Sequence, residues 1–390
     1  MKAKHRPECV VQKSCACKRH GFSLLELLVV ISILALLMSL ILPAVASARQ
    51  TARRVQCLNN VRNLGIGLIN FSSQSPKSQL PAYGTWGDYR SDSTHQWINN
   101  ANPAQLKNWV VDILAHIDRV DLSDRWQPDR KHDSTFVKDR SSNLSIIRGM
   151  NMEVLTCPDD QTASGVNGAL SYVVNAGYAS INLSLTNASG WGAARQQAEN
   201  KLRFDWDKNG RSAVSSTPDR NDIEINYRSG LLWPETMNRK GAPEPDPVRN
   251  RSHSFNTIQD GTGNTLMLTE NVNAAGSQHW GDPDPRFAAF VFPVDYVATA
   301  FTSSTYYIAA PLDKTHSYGV INGARGGPEG ARPFPNSNHP GGVNIVMCDG
   351  SARFLSQNLD LNVYAQIITP SGTRPASFIR AQDPLSGNSL

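Results

Sequence analysis

The chain has 390 residues, 38 Lys/Arg against 33 Asp/Glu, and a formal net charge of +5. Six of those basic residues (Lys2, Lys4, Arg6, Lys13, Lys18, Arg19) and one acid, Glu8, lie in the first 21 residues, leaving 32 of each sign in the remainder. The excess charge therefore belongs to a short leader, and nothing in it argues for nucleic acid as a partner. Residues 21–45 follow as GFSLLELLVVISILALLMSLILPAV, and apart from Glu26 no residue between Arg19 and Arg49 is formally charged. Such a run is long enough to cross a bilayer as a helix: residues 22–45 would reach about 36 Å against a hydrocarbon core of about 30 Å. The basic leader orients the segment with the leader inside and the bulk of the chain outside; Arg49, Arg53 and Arg54 oppose it but are fewer. Glu26 is the anomaly. A carboxylate there costs about 2.5–3.5 kcal/mol on the insertion scale, so it asks for a partner or a function. Three other readings compete: an uncleaved signal anchor, a secretory signal peptide cut at Ala46-Ser47-Ala48, and a buried core helix. The run is longer than an ordinary signal-peptide core of 7–15 residues. A core helix would not normally be apolar on every face for this length.

Gly21 followed by Phe22, Ser23, Leu24, Leu25 and Glu26, with Pro43 downstream, resembles the processing site of bacterial type IV prepilins and type II secretion pseudopilins. The resemblance implies that a prepilin peptidase cuts after Gly21 and methylates the new N-terminal Phe22. It also implies that Glu26 pairs with the N-terminal amine of a neighbouring pilin-like subunit. Residues 1–21 are then a leader peptide and 22–45 the transmembrane half of a long N-terminal helix.

Past Pro43 the helical pattern becomes one-sided over residues 46–71. Ala48, Ala52, Val55, Leu58, Val61, Leu64, Leu68 and Phe71 recur at spacings of three or four. Gly65 and Gly67 weaken the last turns, and residues 72–76 stop the helix. Residues 72–355 read as one loop-rich domain, large enough to bury a core, with 356–390 as a C-terminal segment. Within it, residues 107–117 predict a helix. Residues 153–156, 171–174, 266–269 and 343–348 predict short strands, and 323–342 a long surface loop. A helix first and scattered strands later predict an α+β fold, with the N-terminal helix packed on an antiparallel sheet with long loops.

Further blocks extend the match: residues 53–60 (RRVQCLNN), 157–160 (CPDD), 171–177 (SYVVNAG), 260–265 (DGTGNT) with Glu270, and His339 followed after nine residues by Asp349-Gly350. Together they resemble a family of exported pilin-like proteins of unassigned function that carries this terminal His-(nine residues)-Asp-Gly signature, the domain of unknown function 1559. Cys157-Pro158-Asp159 departs from the more usual Cys-Pro-Ser of that family, and Cys348 stands where an ordinary strand residue is expected. Cys57, Cys157 and Cys348 remain after cleavage, an odd number. Because Cys57 and Cys157 lie in family-like blocks, the resemblance pairs them as a disulfide and leaves Cys348 reduced.

Asp349-Gly350 by itself signals a two-residue hairpin, in which Met347 would face Ala352 and Ile345 would face Phe354. His339 then sits at the foot of the first strand, too far from Asp349 to share one ion. Asp205, Asp207 and Asn209 begin a calcium-loop pattern whose twelfth position is Ser216 where the bidentate Glu belongs. A polar turn is the preferred reading, with calcium the one cofactor candidate and no cofactor otherwise expected. Hydrolase, zinc-protease, phosphate-loop and dinucleotide signatures are absent, so no enzyme is expected. The expectation is a structural or assembly subunit of a type II secretion or type IV pilus-like system. It would be a single-pass inner-membrane protein with a periplasmic or otherwise extracytoplasmic domain. The alternative is an anchored binding module presenting Trp86, Tyr89, Trp97, Trp191, Trp206 and Trp233 to a glycan or surface polymer.

Overall fold

The structure, a computed structural model, describes residues 23–87, 89–90, 97–98, 104–126, 143, 146, 150–180, 220–237, 253–275, 280–294, 321–323, 330 and 332–372. The chain divides into two units, Met1–Thr51 and Ala52–Leu390. The helix α1 (Leu24–Gln74) begins in the first. Its apolar window has no buried residue, and side chains from Leu24 to Leu42 are exposed. Ser23 caps it: the Ser23 hydroxyl accepts from Leu25 N at 3.3 Å, and Ser23 N donates to Glu26 Oε2 at 2.9 Å. Glu26 reaches back to the N-cap amide as in a capping box, while the Ser23 hydroxyl caps the N2 amide and not the N3 amide.

In the second unit α1 is one-sided. Its buried residues are Cys57, Val61, Leu64, Gly65, Gly67, Leu68 and Ser72. The stripe is thus rotated from the expected one: Val55 is exposed, and Cys57 takes the inward place. The glycines are inward because space is short. A Cβ on Gly65 would lie 2.6 Å from Val346 Cγ1, and one on Gly67 2.9 Å from Ile117 Cγ2.

Among the described residues ten strands follow: β1 (Gly84–Gly87), β2 (Tyr89–Arg90), β3 (Trp97–Ile98), β4 (Ala104–Asn108), β5 (Leu170–Ser180), β6 (Pro234–Met237), β7 (Leu266–Ala275), β8 (Ala289–Val294), β9 (Gly342–Met347) and β10 (Ala352–Ser356). The helices among and after them include α2 (Trp109–Ile113), α3 (Arg220–Ser229) and α4 (Leu361–Ile368). The principal sheet has the order β10-β9-β7-β5-β8, and a smaller one the order β4-β1-β6. The fold is α+β, and the sheets are antiparallel except at β5–β8 and β1–β6, which run parallel.

Strand β9 is buried throughout because both faces of its sheet are covered. On one face Tyr172, Val174, Leu268 and Val346 join Cys57, Val61, Leu64 and Leu68 of α1 in one core. On the other, Val173, Phe290, Val343, Ile345 and Met347 meet Tyr364, Ile367 and Ile368 of α4. Residues 361–368, read from sequence as part of a C-terminal segment, therefore complete a second core.

Several local expectations are corrected. Lys107 and Asn108 end strand β4, and the helix starts only at Trp109, because the Asn108 side chain accepts from Val110 N at 3.0 Å as an N-cap. Residues Glu153–Leu155 form a 3₁₀ turn where a strand was predicted. The loop ahead of β9 is not a surface feature at its end, where Asn336, Ser337 and His339 are buried. Trp86 and Trp233 are core residues, not exposed rings.

The β9–β10 hairpin is one residue out of the expected register: Val346 faces Ala352 and Ile345 faces Arg353. The cause is Gly350. Its φ of 83° and the bond from Met347 N to Ser351 O at 2.9 Å close a three-residue loop, Cys348-Asp349-Gly350, with glycine in the left-handed position.

Candidate functional site

The family-like blocks of the sequence meet at one buried node beneath α1. Cys57 projects from α1, and Cys157 follows the 3₁₀ turn that Asn60 holds by donating to Glu153 O (2.9 Å) and Thr156 O (3.1 Å). The two cysteines are disulfide-bonded, with Cα atoms 5.0 Å apart, inside the range a disulfide spans. Cys348 is a free, buried thiol. Asp160 ties the turn to β5 by accepting from Ser171 Oγ (2.6 Å) and Thr162 Oγ (2.6 Å). The Tyr172 hydroxyl donates to Cys57 O at 3.3 Å.

His339 lies against this disulfide, not against Asp349. Its Nε2 is 3.4 Å from Cys157 Sγ and 3.2 Å from Glu270 Oε1. Its Nδ1 is 3.0 Å from Asp159 Oδ2, a charge contact off the N–H axis and not an aligned hydrogen bond. Glu270 projects from β7, where Asn344 of β9 holds both of its oxygens: Asn344 N donates to Oε2 at 2.8 Å and Nδ2 to Oε1 at 2.9 Å. Asp159 has a second partner in Arg53 of α1 at 3.3 Å, whose side chain is 56% exposed. That pair adds little by itself.

Burial alone would lower the basicity of His339. The hydrogen bond to Glu270, with the charges of Glu270 and Asp159, outweighs burial and holds its pKa above the ordinary imidazole value. A protonated His339 neutralises a carboxylate that would otherwise be buried and unpaired.

The sulfur, nitrogen and carboxylate atoms of Cys57, Cys157, His339 and Glu270 lie within 4.8 Å of one another, so these four could hold a metal ion once the sulfurs are free. The node is closed: none of the four is more than 3% exposed.

Asp349 does other work. Its N–H donates to Thr262 O at 3.1 Å and its Oδ1 accepts from Ser351 N at 2.8 Å, locking the hairpin loop against the turn at residues 260–265. The terminal signature thus joins two separate tasks, a buried imidazole beside two carboxylates at His339 and a turn at Asp349-Gly350. Asp159 and Glu270 stand in or beside the family-like blocks, but no local pattern assigns them a role. A carboxylate within the apolar run LMLTE of β7 is the signal that could have found the second.

Residues 46–362 match the model of a family described as a protein of unknown function (DUF1559), and residues 17–42 match the prokaryotic N-terminal methylation motif. The chain belongs to the DUF1559 family. No curated protein and no solved structure matches it. The methylation motif makes this DUF1559 chain a type IV pilin-like exported protein with a membrane-anchoring N-terminal helix.

Gly21 and Phe22, the expected processing site, and Asp205, Asp207 and Asn209, the calcium candidate, lie outside the described residues of this DUF1559 chain. Glu26 is described, and within the chain its partner is Ser23 N.

Proposed function

We propose that the chain is a structural, non-catalytic subunit of a type II secretion or type IV pilus-like assembly. A prepilin peptidase processes it between Gly21 and Phe22, and its helix carries it in the inner membrane with the folded unit on the extracytoplasmic side. There it meets other pilin-like subunits through the apolar part of α1. The observation that carries this reading is the helix itself: it begins at a methylation motif, and its apolar window is uncovered over every residue. The closed node supports a structural role, since its acid, imidazole and sulfur groups are spent on one another. The anchored glycan-binding module is less well supported, because Trp86 and Trp233 are buried and not offered to a ligand.

The test is N-terminal mass spectrometry of the protein from cells that express a prepilin peptidase. The expected first residue is N-methylated Phe22. An N-terminus at Arg49 would mean an ordinary signal peptide, and an intact leader a simple anchor. Replacing Gly21 with a bulky residue should block the cut.

A further inference from the structure

We propose that Cys57, Cys157, His339 and Glu270 form a tetrahedral site for one zinc-class divalent cation in the reduced chain, and that disulfide and metal are alternative ways of closing the same node. The proposal stands apart from the assembly reading, since it concerns only the second unit.

Zinc-to-ligand distances of about 2.0–2.3 Å place neighbouring ligand atoms of a tetrahedron about 3.3–3.8 Å apart. Two edges of that figure are already present: Cys157 Sγ to His339 Nε2 at 3.4 Å, and His339 Nε2 to Glu270 Oε1 at 3.2 Å. All four donor atoms fall within 4.8 Å of one another. Once the sulfur–sulfur bond is broken, rotation about the two Cα–Cβ bonds parts the sulfurs without moving the backbone. Two thiolates, one imidazole and one carboxylate suit zinc or cobalt and not calcium, which takes oxygen ligands.

The surrounding groups favour a metal as well. Asp159 lies 3.0 Å from His339 Nδ1, the ring nitrogen that would not bind the ion, and Asn344 fixes both oxygens of Glu270. Carboxylate behind histidine and amide behind carboxylate are the supports that metal ligands use. The ligands come from α1, the 157 turn, β7 and the loop before β9, so one ion would cross-link four elements where the disulfide joins only the first two.

Forming the site from the disulfide takes two electrons. A phosphine supplies them and leaves as its oxide with an oxygen from water; as the cation binds, the two thiols formed each release a proton, and a protonated His339 releases its Nε2 proton as well.

The test uses the full chain in detergent, unfolded and refolded under a phosphine, then titrated with Co²⁺. One cobalt per chain is expected, with thiolate-to-cobalt charge transfer and the intense visible bands of a tetrahedral site, both abolished by Zn²⁺. The air-oxidised chain should give neither band. Glu270→Gln and His339→Gln should each weaken cobalt binding at least tenfold. Both variants should still form the disulfide on reoxidation, which shows that they fold. A reduced wild-type chain that takes up no stoichiometric cobalt, or fails to refold with it, overturns the proposal. So does cobalt bound without thiolate charge transfer, or binding that survives Cys57→Ser with Cys157→Ser.

Discussion

At the scale of single residues the three cysteines beyond the leader divide by environment. The Cys57–Cys157 bond closes a loop of 100 residues, and chain entropy assigns such a loop about 4.7 kcal/mol. Replacing both by alanine is expected to lower unfolding free energy by about 2–5 kcal/mol, read from urea titration of the detergent-solubilised chain. A loss within error of zero would mean the α1–sheet packing suffices without the bond. Burial, and after it the neighbouring Asp349 charge, pushes the Cys348 thiol well above its ordinary pKa. Maleimide should therefore label Cys348 only as the chain unfolds. Asp160 gives a pH dependence of unusual sign. Burial raises its pKa, and the hydrogen bonds from Ser171 and Thr162 offset only part of that. Between the unfolded value, about 3.9, and the raised folded value, the folded chain holds more protons, so this group's contribution falls as pH rises, by at most about 1.4 kcal/mol per unit. Asp160→Asn removes that slope. Urea titrations of parent and variant from about pH 4 upward should show the parent's relative stability declining; a constant difference refutes the shift.

At the scale of elements, two effects oppose each other at Gly65. Alanine is the better helix former by about 1 kcal/mol, but its Cβ would lie 2.6 Å from Val346 Cγ1. Overpacking of this kind costs about 1–3 kcal/mol, so the clash wins and Gly65→Ala destabilises. Val346→Ala in the same chain makes the room, and the double variant should recover part of the loss; purely additive effects would show the contact is not the cause. The same contact shows what the sequence could reveal. The apolar run of α1 and the centres of β5, β7 and β9 were legible because local composition dictates them. Gly65 read as a weak helix former because the strand that needs the space is about 280 residues away. The Asp349-Gly350 pair signalled a hairpin but fits two loop lengths, and only the left-handed φ of Gly350 chose between them. The node was the least legible part. His339 finds Glu270 69 residues away and Cys157 182 residues away, and no local pattern encodes either distance.

For the whole molecule the decisive residue is Glu26, because two different jobs fit it. In the uncleaved chain its Oε2 accepts from Ser23 N at 2.9 Å, which is a helix cap and needs no charge. Cleavage after Gly21 would create an ammonium at Phe22, one residue before that cap, and a carboxylate could then pair with the amine of a neighbouring chain. In hydrocarbon an unpaired carboxylate is expensive, so Glu26 should end either satisfied within its cap or paired between subunits. Two substitutions separate these. Glu26→Leu removes both cap and charge and makes the helix more apolar, so insertion and cleavage should proceed normally. Glu26→Gln keeps an oxygen able to accept from Ser23 N but has no charge. If pairing between subunits is the task, both variants should lose the crosslinks that cysteines placed at Val29 to Leu42 form in living cells. If capping is the task, Glu26→Gln should crosslink like the parent and only Glu26→Leu should fall. A Leu variant that crosslinks as well as the parent would remove Glu26 from assembly, and with it the strongest single-residue argument that this exported chain works as a polymerising subunit.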